Sequence, residues 1–66
     1  MDERPIAEAR ANLSDVVSAV RLLRKTVMLT RRGRPHAAVV PAELAEAAEA
    51  AGGPDAATEI LRRHQG

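Results

Sequence analysis

The chain has 66 residues, no cysteine and no aromatic residue, and its formal net charge at pH 7 is +1. The lack of cysteine excludes disulfides and thiolate metal sites, and the lack of aromatics leaves a core of aliphatic side chains. A chain of this length is one domain at most and buries only ~60% of the surface that its unfolded form exposes, so we expect an obligate homodimer.

The distribution of charge and hydrophobicity bears on the compartment and on the partners. No stretch approaches the ~20 apolar residues of a membrane span, and Met1–Pro5 has no signal-peptide pattern, so we expect a cytoplasmic protein without membrane association. Residues 1–41 hold eight Lys/Arg and four Asp/Glu, whereas residues 42–66 hold two and five. A basic front half suggests an anionic partner, although chance also produces such splits in short arginine-rich chains.

The first part of the chain predicts a strand and then a helix. Pro5–Ala9 alternates weakly and predicts an edge strand or extended arm, because proline cannot donate a ladder hydrogen bond. Asn12 is the expected N-cap of the helix, with Asp15 three residues later. The helix is expected to end in the basic residues 21–25. Its apolar residues recur at helical spacing and predict one buried stripe: Leu13, Val16, Val17, Val20 and Leu22 or Leu23.

The middle of the chain predicts a β-hairpin. Thr26–Thr30 is β-branched and apolar, and His36–Val40 is a second apolar run that Pro41 ends. Between them lies the turn Arg31–Pro35, in which Gly33 is free to take positive φ. The continuous apolar run of the second strand predicts burial on both of its faces.

The last part of the chain predicts two helices. Ala42–Ala51 is alanine-rich, with glutamates along one side, and a glycine pair before Pro54 ends it. Asp55 is expected to cap a short helix over Ala56–His64, whose only large apolar residues are Ile60 and Leu61.

These elements predict an α+β fold: a small β-α-β-β-α domain over residues 1–52 that forms an intertwined dimer. Residues 53–66 are expected to form a short helical or disordered tail, the least ordered part of the free protein. The expected dimer core consists of Leu13, Val16, Val17, Val20, Val27, Leu29, Val39 and Leu44.

The residues that usually carry catalysis are poorly placed for it. Ser14 lies in the first turn of a predicted helix, His36 follows a turn proline, and His64 lies near the end of the chain. Nucleophilic catalysis needs a hydroxyl or thiol beside an ordered base, and no such pair is indicated. The glutamates of the alanine-rich helix fit a solvated face better than a metal cluster. We therefore expect no enzymatic activity, no cofactor and no metal.

The basic turn is the strongest candidate for a functional site. Arg31, Arg32 and Arg34 lie within four residues, Gly33 lets the backbone approach a ligand closely, and Arg10 lies just before the predicted helix cap. Guanidinium groups suit phosphates and guanine edges, and a helix N-terminus attracts phosphate. A solvated loop that protects an edge hairpin explains the same pattern equally well.

Three segments also form a pattern in order and spacing: ARANLSDVV at residues 9–17, VMLTRRGRP at 27–35 and AAVVP at 37–41. Together they resemble the Phd/YefM antitoxins of bacterial type II toxin–antitoxin systems, which show an Arg-x-Asn-Leu helix opening, a strand ending in Thr-Arg-Arg-Gly-Arg and then Ala-x-Val-Pro. The resemblance covers about residues 5–51. The chain departs from the family in its short tail after Gly52 and in its Arg- and Leu-rich residues 21–25.

The resemblance implies an antitoxin that dimerises through residues 1–52, binds operator DNA and acts as a transcription repressor of its own operon. The matching DNA-contacting positions are Arg10, Asn12 and Arg31, with Arg32 and Arg34 as neighbours on phosphate.

The resemblance further implies that residues 53–66 fold on a cognate toxin of the RelE/YoeB or Doc type and neutralise it. We expect Ile60 and Leu61 as anchors, with Arg62 and Arg63 alongside. Two alternatives stay open: a stand-alone repressor without a toxin, which the short tail favours, and a protein-interaction dimer that has lost DNA binding.

Overall fold

A computed structural model of the protein describes residues 1–65. Its elements in chain order are β1 (Asp2–Pro5), α1 (Ile6–Ala11), α2 (Leu13–Leu23), β2 (Val27–Arg31), β3 (Arg34–Val39), α3 (Ala42–Ala50) and α4 (Pro54–Gln65). The α+β class is confirmed, with one more helix before β2 than the sequence predicted.

The three strands form one sheet in the order β1-β2-β3. Strand β1 is parallel to the central strand β2, with Pro5 opposite Thr30, and β3 is antiparallel to β2. Helices α1 and α2 make the crossover that two parallel strands require. As a result, the carboxyl ends of β1 and β2 lie at the same edge of the sheet as the turn between β2 and β3.

The predicted strand over Pro5–Ala9 is wrong in position. The strand is Asp2–Pro5 and does lie at the edge of the sheet, whereas Ile6–Ala11 is helical. Alanine, glutamate and arginine are among the best helix formers, and this preference outweighs the weak alternation of the segment. Pro5 has φ −59° and immediately precedes the helix, where its missing N–H leaves no helical bond unmade.

Asn12 separates α1 from α2 but does not cap α2 with its side chain. Its Nδ2 donates to the Glu8 carbonyl oxygen at 3.2 Å, and its backbone N–H donates to the same oxygen at 3.1 Å. The predicted N-cap position is confirmed, but the Asn12 side-chain oxygen accepts no hydrogen bond from α2, because the donation from Nδ2 to Glu8 holds the side chain against α1. The Asn12 carbonyl still accepts the first bond of α2, from the Val16 N–H at 3.1 Å.

The core is small and lies between the sheet and the crossover helices. Its fully buried members, Val16 and Val27, are 1% and 0% exposed. The remaining core side chains are Ala9 and Val20, with the partly buried Leu29 and Val39 packed against them. The predicted stripe of α2 is wider than this core covers, so the other members of the stripe are 48–68% exposed: Leu13, Val17, Leu22 and Leu23. Leu44, another residue of the expected dimer core, is also exposed in the single chain.

Strand β3 differs most from its prediction. Residues 34–38 are exposed and only Val39 is partly buried, so burial on both faces is wrong for the single chain. Position explains the error, because β3 is an edge strand with one neighbour. The register with β2 shifts between Leu29 and Thr30, which leaves His36 as the extra residue of a bulge beside Pro35.

Helices α3 and α4 form a hairpin across a glycine turn. Gly52 and Gly53 have φ of 110° and 105°, and the Gly53 N–H donates to the Ala48 carbonyl oxygen at 2.9 Å. Helix α4 starts at Pro54, earlier than predicted, since proline suits the first helical position. No residue within α3 or α4 is buried. None of the helices described in residues 1–65 has the length and hydrophobicity to cross a membrane.

Candidate nucleic-acid interface

The tip of the hairpin is a two-residue turn with an arginine in a left-handed conformation. Arg32 has φ 54° and Gly33 has φ 76°, and Arg31 lies opposite Arg34. Positive φ at both central residues characterises the type I′ turn, whose twist matches that of the flanking strands. The sequence indicated only the glycine, and a left-handed arginine costs roughly 1–2 kcal/mol. Three arginines therefore lie in and beside the turn that ends the β2–β3 hairpin.

An open depression of about 410 Å³ lies beside this tip, and we call it the arginine depression. It is lined by Pro5, Ile6 and Ala7 at the β1–α1 junction, Arg10 of α1, and Thr30, Arg31 and Arg32 of β2 and the turn. Parallel pairing of β1 with β2 is what brings Arg10 to the hairpin. A second concavity of about 610 Å³ adjoins it and is lined by Arg31, Arg32, Arg34 and His36.

The four arginines of these two concavities have no carboxylate partner within residues 1–65. The ion pairs of that part of the chain use other cations: Arg4–Glu8 at 3.3 Å, Lys25–Asp2 at 2.6 Å, Arg63–Glu59 at 3.8 Å and Arg24–Glu43. Arg10, Arg31, Arg32 and Arg34 are all exposed. Their positive charges therefore sum on one surface without local neutralisation.

Two carboxylates are held away from this surface by their own partners. A hydrogen bond from Lys25, helped by its charge, lowers the pKa of Asp2. Hydrogen bonds from its own backbone and then from Arg24 lower the pKa of Glu43. These pairs tie β1 and α3 to the segment between α2 and β2.

Two predicted site residues have surroundings that the sequence did not predict. Arg10 precedes the N-cap position of α2 at Asn12, as expected, but it lies in the last turn of the additional helix α1 and lines the arginine depression with Arg31 and Arg32. Asn12 lies outside both concavities, and its side chain is engaged with Glu8. The structure thus groups the arginines and leaves Asn12 apart from them.

The sequence did not reveal the apolar part of the depression. Ile6 and Ala7 were predicted to lie in a strand, so the helical face that they share with Arg10 was not recognised. The signal was their spacing, since Ala7 and Ile6 precede Arg10 by three and four residues and therefore share its helical face.

The predicted toxin anchors lie at a second, apolar surface. A groove of about 550 Å³ runs between α3 and α4, and its lining includes Leu44, Ile60 and Leu61. Arg62 and Arg63 lie in the last turn of α4 and outside the groove. Among residues 1–65 no group of side chains has the composition and proximity of a metal site.

A family model described as antitoxin Phd_YefM of type II toxin–antitoxin systems matches residues 1–52. This range includes the sheet, α1 to α3 and all four arginines of the site. No curated protein matches the chain, and no solved structure does.

Proposed function

This chain belongs to the Phd/YefM family of type II antitoxins, and from that premise we propose that it binds operator DNA as a dimer, represses its own operon and neutralises a cognate toxin through residues 53–66. One observation carries the DNA-binding half of this proposal: four exposed arginines share one surface and none has a carboxylate partner in residues 1–65.

Charge and geometry support DNA as the ligand of this surface. Unpaired guanidinium groups attract the phosphate backbone, and their planar donors also match the O6 and N7 atoms of guanine. Arg32 and Arg34 at the exposed turn are suited to phosphates. Arg10 and Arg31 line the arginine depression, and we assign Arg10 to a base edge.

The exposed apolar face of α2 supports the dimer. Leu13, Val17, Leu22 and Leu23 are each about half exposed or more, which is unfavourable for so small a domain. A second copy packed around a twofold axis covers this face and presents two arginine surfaces. Twofold symmetry then requires a palindromic operator.

The test of DNA binding is a gel shift on the DNA immediately upstream of the gene, at several salt concentrations. Arg10→Ala is expected to weaken binding by roughly 1–3 kcal/mol and to relax the preference at one base pair. Arg62→Ala is the matched control, because Arg62 is also exposed and lies outside both concavities. Unchanged affinity and salt dependence in Arg10→Ala and Arg31→Ala dimers would refute this role. A stable folded monomer at micromolar concentration in sedimentation would refute the dimer.

The C-terminal segment supports toxin binding through its exposed apolar groups. Ile60 and Leu61 are about half exposed on a helix without buried residues, and Arg62 and Arg63 follow them. Such a segment gains order when a partner covers its apolar side chains. The proposed partner is a toxin of the RelE/YoeB or Doc type.

Co-expression with the product of a neighbouring toxic reading frame tests this half. We expect the full chain to restore growth, and we expect a chain cut after Gly53 to fail while it still shifts the operator. Hydrogen exchange in residues 54–66 is expected to be fast in the free dimer and slow in the complex. Neutralisation by the shortened chain would refute the role of the segment. The absence of any toxic neighbour would leave a stand-alone repressor.

A further inference from the structure

We propose that the apolar floor of the arginine depression recognises the 5-methyl group of a thymine, one base-pair step away from the base that Arg10 contacts. This inference rests on the proposed binding of operator DNA and adds a sequence preference to it. The floor consists of Pro5, Ile6 and Ala7.

The lining of the depression is both apolar and charged. Pro5 and Ala7 are exposed and Ile6 is only partly buried, so three consecutive apolar residues line a concavity that three arginines also line. A surface for phosphates alone needs no apolar lining. In the major groove the thymine methyl is the one apolar group that base edges present, and small apolar side chains are its usual contacts.

Helix α1 places apolar residues of the floor beside Arg10. Ala7 and Ile6 precede Arg10 by three and four residues, which places their Cβ atoms about 5–6 Å from that of Arg10 on the same helical face. Successive base pairs are about 3.4 Å apart along the duplex. Because this Cβ separation exceeds one base-pair step, and the Arg10 side chain extends beyond its Cβ, the two residues are placed to contact different base pairs.

The arginines around the floor favour DNA over an apolar protein surface as its occupant. An apolar protein surface placed on the depression would enclose Arg10, Arg31 and Arg32, which have no carboxylate partner within the described chain. Burial of unpaired charge is strongly unfavourable. A DNA groove supplies phosphates for the arginines and a methyl group for the floor at the same time.

The test uses the operator duplex defined by footprinting on the upstream DNA. Each thymine of the footprint is replaced singly by deoxyuridine, which removes only the methyl group. We expect one thymine in each half-site at which this replacement weakens binding about fourfold, the effect of exposing one buried methyl group.

The variant Ala7→Ser identifies the residue responsible. Serine adds a hydroxyl group at the exposed position three residues before Arg10, to which we assign the methyl contact. The variant is therefore expected to bind thymine and deoxyuridine operators equally. Ala11→Ser is the matched control, since Ala11 is also an exposed alanine of α1 and lies outside the depression. That control should keep the fourfold preference for thymine.

The outcomes separate this inference from the function on which it rests. Strong, salt-dependent operator binding with no thymine effect would overturn the methyl contact and leave DNA binding intact. A thymine effect that persists in Ala7→Ser would also overturn it. If the parent protein shows no thymine effect and Ala7→Ser changes its sedimentation, the floor is instead a contact between copies. No operator binding at all would refute both proposals.

Discussion

Arg32 at the hairpin tip allows a charge to be removed without damage to the turn. Asn-Gly is the preferred sequence for a type I′ turn because asparagine tolerates positive φ. Arg32 has φ 54° and precedes Gly33, so Arg32→Asn deletes a guanidinium and relieves the backbone together. We expect the variant to be at least as stable as the parent in urea unfolding, which separates loss of binding from loss of folding.

The magnitude follows from the number of unpaired arginines. A dimer presents two copies each of Arg31, Arg32 and Arg34, and phosphate contacts from all of them would give a slope of log K against log salt of about −5. Arg32→Asn removes two contacts and should flatten that slope by about 1.8. Between 50 and 200 mM salt the parent should then lose about 12-fold more affinity than the variant.

Fluorescence anisotropy on a labelled operator duplex, titrated at several salt concentrations, measures this slope. The specificity ratio against an unrelated duplex should change little, because a phosphate contact carries no sequence information. An unchanged slope in a dimeric Arg32→Asn protein would show that Arg32 does not contact the backbone of DNA.

Three further predictions concern the scaffold. Val27→Ala should lower the free energy of unfolding by about 2 kcal/mol with an unchanged denaturant slope, since it removes two carbon atoms from a fully buried side chain. Gly53→Ala should destabilise the α3–α4 hairpin by roughly 1–3 kcal/mol through its φ of 105° alone, because nothing lies within 4 Å of the added Cβ. The helical circular dichroism signal should then fall while operator affinity stays unchanged. The lowered pKa of Asp2 means that its pair with Lys25 stabilises the fold above the unfolded-state pKa and that this stability is lost as pH falls through the folded-state pKa. Asp2→Asn should therefore weaken the acid dependence of thermal unfolding in the range that starts about one pH unit above the ordinary aspartate pKa of 3.8 and extends below it.

The sequence predicted the elements whose signal is local. The stripe around Val16 and Val20 indicated α2, and the glycine turn at residues 52–53 indicated the end of α3. The hairpin was evident from its two apolar runs. The family resemblance was confirmed over residues 1–52.

The errors arose where tertiary position decides the outcome. Strand β3 is apolar enough for a central strand, yet it lies at the edge, and the residue that indicates an edge strand, Pro35, had been assigned to the turn. The Asn12 side chain donates to the helix before it and does not bond the helix after it. This bond was not predicted, because the sequence had not indicated α1. The arginine depression was not predicted either, since it depends on the pairing of Pro5 with Thr30, which are joined by the whole crossover.

The parallel pairing of β1 also sets the order in which the arginine surface forms during folding. The hairpin closes across two residues, whereas Asp2 meets Val27 only after the crossover has formed. Tight hairpins form in about 1–10 μs, and contacts between distant segments carry a larger loop-closure entropy. We therefore expect the three arginines of the tip to be ordered early and Arg10 to join them last. On warming, the edge strand β1 should detach first, so operator affinity should fall at temperatures where backbone amide protection of β2 and β3 persists.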